Sequence, residues 1–123
     1  MEKDTEHKGS CHCGTVKFLI AAPTKITVTR CNCSLCRRKG AIMATLPKEN
    51  LRVTRGEDNL GLYQWNMHIA KHYFCKTCGI YTHHQRRSAP EQYGFNVGCL
   101  EGFDPADVDE VGLVNGAGLS LKE

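Results

Sequence analysis

The stretch Cys31-Asn32-Cys33-Ser34-Leu35-Cys36 places three thiols within six residues. Thiolates bind zinc at about 2.3 Å, and a tetrahedral zinc needs four donors. This one stretch supplies three of them. A zinc held by three thiolates keeps its fourth position open and acts there as a Lewis acid toward a substrate thiol or a water. Three thiolates already donate strongly to the metal, so such a centre suits thiol transfer better than water activation.

Five further cysteines must be divided around this triad. Cys11-His12-Cys13 lies between Gly9 and Gly14, and Cys75-Lys76-Thr77-Cys78 precedes Gly79, as in a zinc knuckle. Glycine-flanked turns of this kind aim sulfurs at one point and turn backbone amides toward them. His12 lies between two such sulfurs and is not expected to be a ligand. The two pairs make one closed four-sulfur site, whose metal contributes folding free energy directly. The triad makes a second, open site. Cys99 is left over, and it has three alternatives. It completes the triad, giving two closed and inert sites, or it is a small buried hydrophobe on a strand, or it is a pocket-facing thiol beside the metal.

A chain of 123 residues forms one domain of ordinary size and buries a real core. Residues 1–8 are charge-rich without periodicity and read as a flexible tail; residues 9–123 read as a single zinc-binding β domain. The N-terminus shows no apolar stretch of the secretory kind, and no run approaches a membrane span. The reading is therefore a cytoplasmic protein without membrane contact, where clustered cysteines favour metal over disulfides. The formal net charge is +3. Seven thiolates and two dipositive zinc ions cancel it, so bulk charge gives no support to nucleic-acid binding.

The pattern that must position these sulfurs is one of short strands. Alternation marks strands over 15–21, ended by Pro23, and over 25–30, which delivers the chain into Cys31. A single helical turn ends at Gly40. Further strands are expected over 41–46, 51–54, 60–65, 69–74, 80–84 and 92–100, the last carrying Cys99. The polar segment 66–68 suggests a hairpin. Asp104-Pro105 reads as an N-cap followed by proline at the first helical position, giving one turn over 105–108. Residues 112–123 receive no assignment. The whole argues an all-β domain of small sheets joined around zinc turns.

The three motifs Gly9-Ser10-Cys11-His12-Cys13-Gly14, Cys31-Asn32-Cys33-Ser34-Leu35-Cys36-Arg37-Arg38 and Phe74-Cys75-Lys76-Thr77-Cys78-Gly79 together resemble the glutathione-dependent formaldehyde-activating enzyme and centromere protein V family, in order and in spacing. The resemblance covers about residues 9 to 110. It implies an all-β fold of the Mss4-like (β-tent) type. It also implies two zinc ions, a structural one on Cys11, Cys13, Cys75 and Cys78 and a catalytic one on Cys31, Cys33 and Cys36. The implied activity is a carbon–sulfur lyase condensing formaldehyde with glutathione to S-hydroxymethylglutathione, and the reverse.

Around an open triad the chemistry needs a general acid for the new alkoxide. His68, His72, His83, His84 and Tyr93 are the candidates, none marked by a motif. Arg37 and Arg38, with Lys39, follow the triad and suit the carboxylates of a glutathione-like peptide; a solvated basic turn is the competing role. Trp65, Tyr63 and Phe74 read as core. The competing class for the whole chain is a non-catalytic zinc module for protein or nucleic-acid interaction. A redox role for Cys75 and Cys78 lacks the βαβ context it needs.

Overall fold

The computed structural model describes residues 4–65, 68–108 and 111–114. Its strands are β1 (Asp4–Ser10), β2 (Lys17–Pro23), β3 (Thr29–Cys31), β4 (Met43–Pro47), β5 (Leu51–Arg55), β6 (Leu60–Tyr63), β7 (Lys71–Cys75), β8 (Tyr81–Gln85), β9 (Gln92–Asn96) and β10 (Gly112–Val114). The single α-helix among the described residues is α1 (Ser34–Lys39). The fold is all-β, as the alternation predicts. One sheet has the order β1-β2-β5, and the other the order β10-β3-β4-β9-β8-β7-β6. All pairings are antiparallel except β10 with β3.

The period-2 pattern explains how the sheets meet. On β2, Phe18, Ile20 and Ala22 point inward and are buried, and they pack in one cluster with Leu51 of β5. The large sheet answers with Ala44 and Leu46 of β4 and Phe95 of β9 in the same cluster. Each large apolar side chain buried here contributes about 1.5–3 kcal/mol.

Three features differ from the sequence reading. Residues 4–8, expected as tail, form most of β1, which pairs with β2 along its whole length from Asp4↔Pro23 to Ser10↔Lys17. An edge strand needs only backbone pairing, and charged side chains on its open face suit an edge. That is why its composition hides it. The strand expected over 25–30 is reduced to Thr29–Cys31, although Val28 and Ile26 still pack into the core. The strand expected over 92–100 stops at Asn96. The Asn96 side chain accepts from the Gly98 N–H at 3.0 Å and turns 97–99 into a 3-10 turn, so Cys99 does not lie on a strand. The β6–β7 hairpin is present, with residues 66 and 67 of its connection outside the described residues. The one-turn helix after Asp104 is also present, Asp104 accepting from Ala106 N–H at 2.9 Å.

Helix α1 is short because both its ends are specified. Cys33 is the N-cap, its Sγ accepting from the Cys36 N–H at 3.3 Å. Gly40 ends it at φ 65°, its N–H donating to the Cys36 carbonyl at 3.0 Å, a conformation that costs a side-chain-bearing residue about 1 kcal/mol or more.

The β1 assignment has a direct test. Removing residues 1–8 strips β2 of most of its partner and leaves ladder hydrogen bonds unmade, each worth about 0.5–1.5 kcal/mol. The truncated protein is expected to lose about 3 kcal/mol of stability by urea unfolding, whereas deletion of a mere tail leaves the midpoint where it was.

Candidate functional site

Two glycine turns build the first cluster. Cys11 N–H donates to the Val16 carbonyl at 3.0 Å in the β1–β2 connection, and Cys75 N–H donates to the Ile80 carbonyl at 3.0 Å in the β7–β8 connection. In each turn the glycine N–H returns to the cysteine carbonyl, Gly14 to Cys11 at 3.3 Å and Gly79 to Cys75 at 2.8 Å. Gly14 and Gly79 have φ of 83° and 78°, which glycine adopts without strain. The Sγ atoms of Cys11, Cys13, Cys75 and Cys78 lie within 4.8 Å of one another. Cys11–Cys13 and Cys13–Cys75 are 3.7 Å apart. A disulfide needs about 2.05 Å, while a zinc–sulfur tetrahedron with bonds of about 2.3 Å has edges of about 3.8 Å. The donor set and the spacing therefore fit a tetrahedral zinc.

The electrostatics of this cluster are set by its amides and its burial. Val16 N–H donates to Cys11 Sγ at 3.3 Å, and Asn59 Nδ2 approaches Cys75 Sγ at 3.5 Å. Backbone N–H donors, from the Cys13 and Ile80 segments, bring Cys78 down to about 6. The Thr15 side chain lowers Cys13, whereas burial raises Cys11. Each amide aimed at a sulfur favours the thiolate that a metal requires.

The second cluster holds Cys31, Cys33 and Cys36, whose Sγ atoms also lie within 4.8 Å of one another. Cys31 ends β3, Cys33 caps α1 and Cys36 lies inside it, so the passage from strand to helix presents three sulfurs together. Cys99 is not among them. It is buried in the main core, its Sγ directed at the Tyr81 carbonyl at 3.7 Å, and burial pushes its thiol up to about 12. A neutral, buried thiol donating to a carbonyl is the small-hydrophobe alternative rather than the closing ligand.

The triad stands on one face of the large sheet. Cys36 packs with Met43 of β4 and Tyr81 of β8. On β7 and β8, His72 pairs with His84 across the strands, and their rings stack at 5.2 Å. Lys39 reaches this group from α1: its Nζ lies 3.6 Å above the Tyr81 ring and 3.2 Å from His72 Nδ1. An ammonium has no acceptor, so Nδ1 accepts and the His72 proton sits on Nε2. Burial, with Lys39 beside it, lowers His72 to about 4, and burial first, then Lys39, lowers His84 well below its ordinary value. Both imidazoles are neutral at pH 7. Tyr81 hydroxyl contacts His84 Nδ1 and Met43 Sδ, the latter at 3.4 Å. Gly94 lies beneath His84, where a Cβ would meet the ring at 2.3 Å. Glycine there makes room for the imidazole.

The arginines are placed otherwise. Arg37 and Arg38 are exposed, and Arg38 donates back to the Ser34 carbonyl of its own helix at 2.8 Å. Lys39, third of the basic run, is the one turned inward. The helix phase decides this, since position 39 shares a face with Cys36 at i, i+3.

The opposite face of the sheet is different. His83 stacks on Tyr73 at 4.7 Å and meets Tyr93 edge-on at 5.2 Å, with Nδ1 at 2.9 Å from Thr82 Oγ1. These three rings, with Leu51, Arg52, Val53, Glu57 and Leu60, line a cleft of about 380 Å³ between the sheets. Of the candidate acids, His72 and His84 thus share the triad face. His83 and Tyr93 line the inter-sheet cleft, and His68 lies in the loop after β6. Tyr63 of β6 is exposed rather than core. No helix among the described residues is long and apolar enough to cross a membrane.

Comparison with known proteins places this geometry among relatives. The model of a family described as glutathione-dependent formaldehyde-activating enzyme matches residues 6–111. A curated protein of Halomonas elongata, provisionally named for the same enzyme, is 31% identical over 80 residues, 58% of this chain and 50% of the relative. The chain thus spans about half the length of that relative. A crystal structure of a Rhodobacter sphaeroides protein is 53% identical, with a TM-score of 0.80, covering 87% of this chain and 99% of that one.

Two outcomes follow for the isolated protein. Cys75→Ser is expected to lose metal and folded structure together, while Cys99→Ser keeps the wild-type zinc content by elemental analysis; loss of one zinc in Cys99→Ser contradicts the placement of Cys99. Burial also holds His83 at about 4, against about 6.5 in an unfolded chain. Between these values the unfolded chain takes up a proton that the folded one refuses, so stability falls as pH drops from about 6.5 through 4. His83→Phe is expected to flatten that fall by about 1 kcal/mol per pH unit in urea midpoints measured between pH 6 and 5 with zinc present. Equal slopes in both proteins contradict the neutral, buried imidazole.

Proposed function

The chain belongs to the glutathione-dependent formaldehyde-activating enzyme family, and from that membership we propose that it is a zinc-dependent carbon–sulfur lyase acting on the glutathione adduct of a small aldehyde, S-hydroxymethylglutathione first among them. The observation that carries this reading is the triad: three thiols converge, and Cys99 is turned away from them. Cys31, Cys33 and Cys36 would hold a zinc that supplies, when bound, an open acidic position where a substrate thiol ionises. Cys11, Cys13, Cys75 and Cys78 would hold a second zinc that ties the sheets together.

The reaction is an addition. The substrate sulfur forms a bond to the aldehyde carbon while the C=O π pair moves onto oxygen, and that oxygen takes up the proton the thiol released. The reverse breaks the carbon–sulfur bond as the hydroxyl loses its proton. No oxidant or reductant enters. Met43 and Tyr81 form an apolar wall behind Cys36, which excludes water and strengthens electrostatic contacts beside it. Arg37 and Arg38 stand at the exposed rim, where guanidinium groups suit the carboxylates of a tripeptide thiol. A reducing compartment holding such a thiol is the setting this chemistry requires.

Exchange of labelled formaldehyde with glutathione, followed by nuclear magnetic resonance, tests the reading. The zinc-loaded protein is expected to accelerate exchange well above the spontaneous rate. Cys33→Ser is expected to lose about 10²-fold or more of that acceleration while remaining folded. A zinc-loaded wild type that leaves exchange unchanged refutes the lyase, and a zinc module for macromolecular contact takes its place.

A further inference from the structure

Lys39 is a cation drawn out of solvent, unlike its neighbours Arg37 and Arg38. A buried ammonium is costly unless an opposite charge and hydrogen bonds compensate it. Its surroundings supply a hydrogen-bond acceptor and an aromatic face. The imidazole of His72 accepts from Nζ at 3.2 Å, and the face of Tyr81 lies 3.6 Å below. A cation over a ring face is stabilised by the ring quadrupole. The i, i+3 relation to Cys36 turns the ammonium to the triad side of the helix. A zinc with three thiolates carries one net negative charge, which one ammonium balances.

An ammonium has three donors. One is taken by His72, and the Tyr81 ring supports the cation without an acceptor atom, so donor capacity remains next to Tyr81, against which Cys36 packs. We propose that Lys39 is a catalytic residue of the addition described above, its Nζ–H binding the aldehyde oxygen and stabilising the alkoxide that develops there as the carbon–sulfur bond forms. His72 and Tyr81 are positioning residues that fix Nζ. This role rests on the lyase reading. Lys39 begins and ends the cycle as an ammonium ion, and the net proton passes from the thiol to the new hydroxyl through water. A fixed donor aimed at a developing oxyanion is worth about 10²–10³ in turnover.

The test compares wild type, Lys39→Met, Lys39→Arg and His72→Asn, each first checked for zinc content. Calorimetric titration uses glutathione alone and glutathione pre-equilibrated with formaldehyde, which forms the adduct spontaneously. Wild type is expected to bind the adduct mixture about tenfold more tightly than Lys39→Met does, because a hydroxyl bonded to a charged donor is lost. Affinity for glutathione alone is expected to be the same in both. Turnover is expected to fall about 10²-fold in Lys39→Met, at unchanged KM for glutathione. Lys39→Arg recovers part of the adduct preference, and His72→Asn lowers turnover while zinc is retained. If Lys39→Met or, should that variant lose zinc, His72→Asn keeps both adduct preference and turnover, Lys39 only packs, and the proposal is overturned. A wild type without turnover or adduct preference overturns the reaction itself, and is told apart by the wild-type measurements alone.

Discussion

Four sulfurs brought within 4.8 Å of one another from opposite parts of the chain are the constraint on which the rest depends. As thiolates they repel, and a dipositive ion that takes four of them converts that repulsion into attachment. The turn carrying Cys11 and Cys13 belongs to the small sheet, and the turn carrying Cys75 and Cys78 to the large one. An ion joining them would fix the sheets at one end, beside the cluster in which Phe18, Ile20 and Phe95 pack. The two turns are built alike, each closing from a cysteine N–H to a carbonyl five residues on, Cys11 to Val16 and Cys75 to Ile80. Like turns facing one another supply a roughly symmetric set of donors.

Once the sheets are held, strand alternation separates two chemistries on the two faces of the large one. His72 and His84 look toward the triad, while Tyr73 and His83 look into the cleft between the sheets. Cysteine-rich chemistry and aromatic packing thus share a strand pair without sharing a space. Gly94 opposite His84 is part of this arrangement, because the imidazole occupies the room that a side chain would need.

The cysteine motifs were legible in the sequence because each is a local turn whose spacing alone constrains its sulfurs. The stop at Gly40 and the turn after Asp104-Pro105 were legible for the same reason. What escaped depends on partners distant in the chain. β1 is held by backbone pairing with β2, and charged side chains conceal it. β10 is three exposed residues, Gly112 to Val114, bonded in parallel to β3. Cys99 fell on an apparent strand because the Asn96 cap that ends β9 leaves no trace in hydrophobic alternation. In the basic run, residue type favoured the arginines, yet helix phase turns Lys39 inward. That phase follows from the i, i+3 spacing of Cys36 and Lys39 within one helical turn. Tyr81 carried no motif, and its place beside the triad appears only when β8 lies next to β9.

The central claim is that the chain holds one closed and one open zinc. X-ray absorption at the zinc edge tests it most directly, on protein loaded with two zinc ions, before and after addition of glutathione. The account predicts a sulfur shell mixed with a lighter donor in the protein alone. That donor is replaced by sulfur when glutathione is added, and in Cys33→Ser the change disappears. An all-sulfur shell from the outset, unmoved by glutathione, contradicts the account and makes both centres structural.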